Sequence, residues 1–193
     1  ELAAKVTLLP IDDLEVDAAI LFSDILIVPE ALGMGLEFTD KGPLFNNPLT
    51  KYESPASHLK KDSKTLEHVY ENIKKVIETR PKNIPLIGFC GGPLTTFCFM
   101  FRGHVRDVSF HDAIKFLYSN PQESMKILEA LTELSVEYVR NQAISGIECF
   151  QLFETYSGLI PEQMYLEKIL PLSKKILNEA RNYGLPTIFF PKG

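Results

Sequence analysis

No stretch of this chain approaches the roughly eighteen consecutive apolar residues that a membrane-crossing helix needs, so no span is expected. The first residues, Glu1-Leu2-Ala3-Ala4-Lys5, match neither a signal peptide nor a transit peptide. Positive charge is in short supply: the formal net charge is −5, and no lysine or arginine cluster falls on one helical face. The electrostatic footprint of nucleic-acid binding is therefore missing. Lys60-Lys61 and Lys74-Lys75 read as solvated surface. The three cysteines, Cys90, Cys98 and Cys149, have no paired spacing and no neighbouring histidine. That argues against a disulfide framework and against zinc, and it fits a reducing compartment, the cytoplasm or a stroma or matrix. There is no Gly-x-Gly-x-x-Gly after the first strand, no phosphate loop and no nucleophile elbow or triad. An initiator methionine is lacking too, and with the abrupt close at Pro191-Lys192-Gly193 this leads us to expect a piece of a longer polypeptide.

What is present is ordinary for one soluble globular domain: 193 residues, 45% hydrophobic and 23% charged. Four short apolar runs read as strands: Ala18–Phe22, Ile84–Phe89, Ile147–Phe153 and Thr187–Phe190. Between them lie helical patterns. Leu66, Val69, Tyr70, Ile73, Val76 and Ile77 repeat at three-four spacing up to Pro81. Asn120-Pro121 opens a long helix that Gly146 closes, Pro161 and Pro171 open two further segments, and Gly184 ends the second. Strict alternation of strand and helix implies parallel strands joined by right-handed crossovers. The near-continuous apolar strands predict that both sheet faces are covered. A doubly wound sheet and a (β/α)8 barrel both satisfy the pattern. The missing glycine fingerprint favours the TIM barrel, of which four strands are about half. Residues 37–62, rich in turn signals (Asp40-Lys41-Gly42-Pro43, Asn46-Asn47-Pro48), predict a long excursion over the carboxyl end of the sheet.

In parallel sheets ligands gather outside the carboxyl ends of the strands. Asp24 stands where the chain leaves the first strand, flanked by Phe22, Ile25 and Leu26. A carboxylate in such surroundings can bind buried N–H groups or stabilise a developing cation. The alternative is that Asp24 merely caps a following turn. Gly91-Gly92-Pro93 ends the second strand and permits close approach to a ligand, or serves only as a tight turn. At the end of the third strand, Glu154 and Thr155 are adjacent and must point opposite ways in extended chain, so only one faces the mouth. Glu154 could equally anchor a neighbouring loop. The apolar run 94–101 is a buried helix or a pocket wall. The histidines His58, His68, His104 and His111 fit no metal pattern and read as surface or capping residues.

Several separated motifs, in consistent order, resemble the uroporphyrinogen decarboxylase family. They are Glu1-Leu2-Ala3-Ala4 through Pro10, Asp17-Ala18-Ala19-Ile20-Leu21-Phe22-Ser23-Asp24-Ile25-Leu26, Pro85-Leu86-Ile87-Gly88-Phe89-Cys90-Gly91-Gly92-Pro93, Gln151-Leu152-Phe153-Glu154-Thr155-Tyr156-Ser157-Gly158, and Ile188-Phe189-Phe190-Pro191-Lys192-Gly193. The resemblance implies a (β/α)8 barrel, usually a homodimer, that strips acetate carboxylates from uroporphyrinogen without metal or organic cofactor. Residues 1–193 would be a single domain piece corresponding to the second to fifth βα units. It further implies that Asp24 is catalytic, accepting hydrogen bonds from the pyrrole N–H groups of a tetrapyrrole. Phe22 and Phe153 would be apolar walls, and Thr155 and the Phe99 position substrate contacts. The sequence departs from the family at Phe99, where a tyrosine is usual, at Leu94, where a bulky aromatic is common, and at Thr155, which replaces a serine. The arginines Arg80, Arg102, Arg106, Arg140 and Arg181 match no family substrate site. The family's amino-terminal arginine motif and late histidine lie outside these residues. Two rival readings stand beside this one. The first is a corrinoid- or coenzyme M-linked methyltransferase of the same superfamily. The second is a degenerate homologue that binds a tetrapyrrole or a partner chain without turnover.

Overall fold

The computed structural model describes residues 1–39, 42–102 and 110–192. Asp40 and Lys41 of the predicted excursion, His104, Arg106 and the final Gly193 lie outside the described residues. Four parallel strands form one sheet: β1 (Ala19–Ile20), β4 (Leu86–Gly91), β5 (Cys149–Glu154) and β6 (Thr187–Pro191). Their spatial order, β1-β4-β5-β6, is their order along the chain. A doubly wound sheet would reverse direction at a switch point, whereas consecutive units of a barrel do not. The arrangement is therefore that of successive βα units of a (β/α)8 barrel.

Helix α1 (Leu2–Leu14) precedes β1. After β1 come a short helix α2 (Ile27–Pro29) and the predicted excursion. The excursion contains an antiparallel hairpin, β2 (Leu36–Thr39) with β3 (Gly42–Phe45), and two single-turn 3-10 helices, and a third, Ser63–Leu66, follows it. Helix α3 (Glu67–Thr79) returns to the sheet with Val69, Ile73 and Val76 buried, the stripe that the periodicity predicts. Helix α4 (Pro93–Phe101) is buried along nearly its whole length, which identifies the apolar run as core rather than pocket wall. Then follow α5 (His111–Ser119) and the long α6 (Pro121–Ser145), which ends at Gly146 with φ 110°. The last crossover differs from expectation. Pro161 opens α7 (Glu162–Met164), but a π-helical stretch, Tyr165–Ile169, runs directly into α8 (Leu170–Asn182). Pro171 has no N–H to donate, and the loosened turn before it keeps one continuous helical run instead of two.

The sheet's two faces are not alike. Leu86, Cys90, Phe150 and Leu152 are buried on the helix side, under α4, α6 and α8. On the other face stand Ile20, Phe89, Phe153, Ile188 and Phe190, with Phe153 directly opposite Phe190. Of these, Ile20, Ile188 and Phe190 are 51%, 40% and 44% exposed. The expectation of two covered faces holds for β4 only. The open face is the one that packs across the axis when a barrel is closed. Gln142 on α6 pins the sheet from behind. Its Oε1 accepts from the Phe89 N–H at 3.2 Å and its Nε2 donates to the Phe89 carbonyl at 3.0 Å. A Cβ on Gly88 would stand 2.4 Å from that amide oxygen, so only glycine lets α6 approach so closely.

Candidate functional site

The carboxyl ends of β1, β4 and β5 converge on a cavity of about 550 Å³. Phe22, Asp24, Phe89, Phe153 and Thr155 line it, with Val6 and Pro10 of α1 opposite. Four of the five residues singled out from the sequence, Phe22, Asp24, Phe153 and Thr155, thus meet around one hollow. The fifth does not join them. Phe99 packs in an aromatic cluster with Phe110 and Tyr156, 5.2 Å from the Phe110 ring and 5.9 Å from the Tyr156 ring, with the Arg102 guanidinium 5.6 Å above it. It is not among the residues lining the cavity.

Asp24 is half-buried, and its Oδ1 accepts a hydrogen bond from the Leu26 N–H at 2.7 Å. The capping role and the cavity role therefore coincide in one side chain. Burial pushes its carboxyl above the usual carboxylate range, and the Leu26 N–H acts against that rise. The strand end itself is held by α1: Thr7 Oγ1 donates to the Ala3 carbonyl at 2.9 Å and accepts from the Phe22 N–H at 3.0 Å. Asp24 also borders a second cavity of about 580 Å³, shared with Glu30, His68 and Asn72 and roofed by Leu36 and Phe38 of the hairpin. Glu30 is likewise raised by burial, lowered by His68 and raised again by the Asp24 charge. Of the remaining described histidines, His58 stacks on Tyr52 at 3.8 Å and His111 is exposed at the start of α5.

Behind the cavity, Glu154 points into the core while Thr155 faces the hollow, as alternation along β5 requires. Glu154 is fully buried. Its Oε1 accepts from the Thr95 N–H at 2.7 Å and from Thr95 Oγ1 at 2.6 Å, and its Oε2 from the Leu94 N–H at 3.2 Å. These are the first amides of α4, where the helix dipole favours an anion. Burial is the dominant influence on the carboxyl and pushes it up to about 7 against those three bonds. A Cβ on Gly92 would stand 2.5 Å from Glu154 Cδ, so the second glycine of Gly91-Gly92-Pro93 makes room for this internal carboxylate. From sequence alone the turn fits either a ligand or a tight bend. The occupant is Glu154, signalled only by an acid at the end of an otherwise apolar strand.

The described arginines are placed away from both hollows. Arg80 Nη2 donates to Glu148 at 2.6 Å, Arg140 pairs with Glu179 at 2.7 Å, and Arg181 donates to Thr187 Oγ1 at 3.2 Å. Among the described residues, no three His, Cys, Asp or Glu side chains are grouped to hold a metal ion, and no helix is long and apolar enough to cross a membrane.

Sequential parallel strands with a cavity at their carboxyl ends define a member of the (β/α)8-barrel class. A solved methyltransferase from Methanosarcina mazei shares the fold, with a TM-score of 0.70 at 17% identity over 97% of this chain and 55% of that one. The sequence model described as uroporphyrinogen decarboxylase (URO-D) matches residues 1–193, and the chain belongs to that family. Curated relatives named uroporphyrinogen decarboxylase include that of Campylobacter concisus, 38% identical over 99% of this chain and 57% of the relative. Those of Helicobacter pylori (38%, 100% and 58%) and Rickettsia bellii (36%, 99% and 56%) are similar. The chain thus spans a little over half the length of these relatives.

Proposed function

We propose that residues 1–193 supply the second to fifth βα units of a uroporphyrinogen decarboxylase barrel, and that Asp24 is its catalytic carboxylate. The observation that carries this reading is the meeting of Asp24 with Phe22, Phe153 and Thr155 around one largely apolar hollow at the strand ends, in a chain of this family. The reaction begins with protonation of the pyrrole α-carbon next to the ring carbon that bears the acetate arm, which makes the ring a cationic electron sink conjugated with that arm. The bond from methylene to carboxylate then breaks, its electron pair flows into the ring, and carbon dioxide leaves. The methylene gains a proton to become a methyl group and the ring carbon gives up the one it took on, so each cycle consumes one proton net. Asp24, anchored by the Leu26 N–H, accepts from the pyrrole N–H groups and favours the cation more than the neutral ring, the difference that lowers a barrier. By analogy with a lost oxyanion-hole donor, its charge contributes on the order of 3 kcal/mol. Phe22 and Phe153 flank the macrocycle, Thr155 offers a hydroxyl, and Phe99, lacking one, acts only through its packing on Phe110 and Tyr156. Cationic partners for the substrate's carboxylates come from beyond these residues. The reading requires no metal or organic cofactor. It takes the whole barrel to be a cytoplasmic homodimer without membrane or nucleic-acid partners.

The test is anaerobic incubation of the full-length protein with uroporphyrinogen. Release of carbon dioxide and accumulation of coproporphyrinogen are expected. A folded protein that yields neither contradicts the assignment.

A further inference from the structure

Among the described residues no hydrogen bond to its side chain explains the placement of Thr155 on the wall of the cavity, yet both its neighbours are fixed. On one side Glu154 is clamped into the start of α4 by the Leu94 and Thr95 amides and by Thr95 Oγ1. On the other side the Tyr156 N–H donates to the same Thr95 Oγ1 at 3.2 Å. One residue earlier, the Phe153 carbonyl accepts from the Gly92 N–H at 2.8 Å. The hydroxyl of Thr95 therefore has two duties, donating to Glu154 and accepting from Tyr156, and it is fully buried, with no water to replace either bond. Residues 153, 154 and 156 are each tied to one β-turn-α junction, with Thr155 held between them.

We propose that Glu154 and Thr95 form a buried positioning pair that sets where Thr155 and Phe153 stand in the cavity, touching no substrate themselves. The inference rests on the functional reading above only for its catalytic consequence. Thr95→Val keeps the shape and removes both hydroxyl bonds, whereas Thr95→Ser restores the hydroxyl. A displacement of about 1 Å in a positioned group can lower turnover by about 100-fold. For Thr95→Val in the full-length protein, kcat is expected to fall between about 10- and 100-fold, more than KM changes, and Thr95→Ser to recover most of it. A readout free of turnover is the methyl resonance of Thr155 in threonine-labelled protein. It should shift in Thr95→Val and return in Thr95→Ser.

If the wild type releases no carbon dioxide, the decarboxylase reading fails while the methyl resonance still decides the positioning pair. An unmoved Thr155 methyl in folded Thr95→Val overturns the pair. So does a kcat equal to wild type. Loss of stability in both variants without the valine–serine contrast in either readout also overturns it, leaving a purely structural role.

Discussion

Gly92→Ala isolates the junction behind the cavity. Backbone conformation does not forbid the change: Gly92 has φ −69° and ψ 156°, which alanine adopts freely. The obstacle is the Glu154 carboxyl group, whose Cδ, Oε2 and Oε1 would lie 2.5, 2.6 and 2.8 Å from the new Cβ. A shift of a few tenths of an ångström does not relieve a 2.5 Å contact, and the buried carboxylate has no solvent to retreat into. If two of its three bonds are lost, at about 1.5–3 kcal/mol each for charged partners, the loss is about 3–6 kcal/mol. The stiffer unfolded chain of alanine offsets about 0.4–1 kcal/mol. The expected destabilisation is about 2–5.5 kcal/mol, read from urea midpoints at constant m. A double-mutant cycle identifies the source: in a Glu154→Ala background, where the carboxylate is gone, Gly92→Ala should cost less than about 1 kcal/mol. A single variant within 1 kcal/mol of wild type, or an equal effect in both backgrounds, would refute the reasoning.

Other consequences are open to similar measurements. Glu154, about 7 when folded and near 4.5 as a free side chain, binds more protons folded than unfolded between those values. Its contribution to stability is thus full below about pH 4.5 and declines as pH rises to about 7, by about 3 kcal/mol. The pH dependence of wild type minus Glu154→Gln should carry that slope, and a flat difference would contradict the assignment. Gln142→Leu leaves the Phe89 N–H and carbonyl without their partner and should cost about 1–3 kcal/mol in chemical denaturation. Glu148→Ala strips the buried Arg80 guanidinium of its half-exposed partner and leaves the Leu86 N–H without its acceptor, and should lower stability by about 1–3 kcal/mol, whereas no measurable change would mean that the carbonyls of Pro81 and Ile84 suffice for Arg80.

How far the sequence discloses this structure depends on whether a signal is local. The α3 stripe, the Asn120-Pro121 opening and the Gly146 stop of α6 are local patterns, and the helices follow them. The placement of Asp24 in the turn just past the first strand is local as well, although that strand ends at Ile20 rather than Phe22. The uncovered sheet face was not legible, since apolar side chains at Ile20, Ile188 and Phe190 look alike whether or not something packs on them. Equally hidden was the pairing of Gly92 with Glu154, residues that only the β4–β5 alignment brings together. Phe99 was tied to the cavity by family position alone, and helix α4 turns its ring toward Phe110 and Tyr156.

The proposed chemistry turns on the charge of one side chain, which Asp24→Asn removes while an amide oxygen remains to receive the Leu26 N–H. Steady-state decarboxylation by this variant in the full-length protein, alongside its urea midpoint, is the most direct measurement. A fall in kcat of about 100-fold or more with a midpoint close to wild type is predicted. Wild-type turnover in that variant would contradict the account.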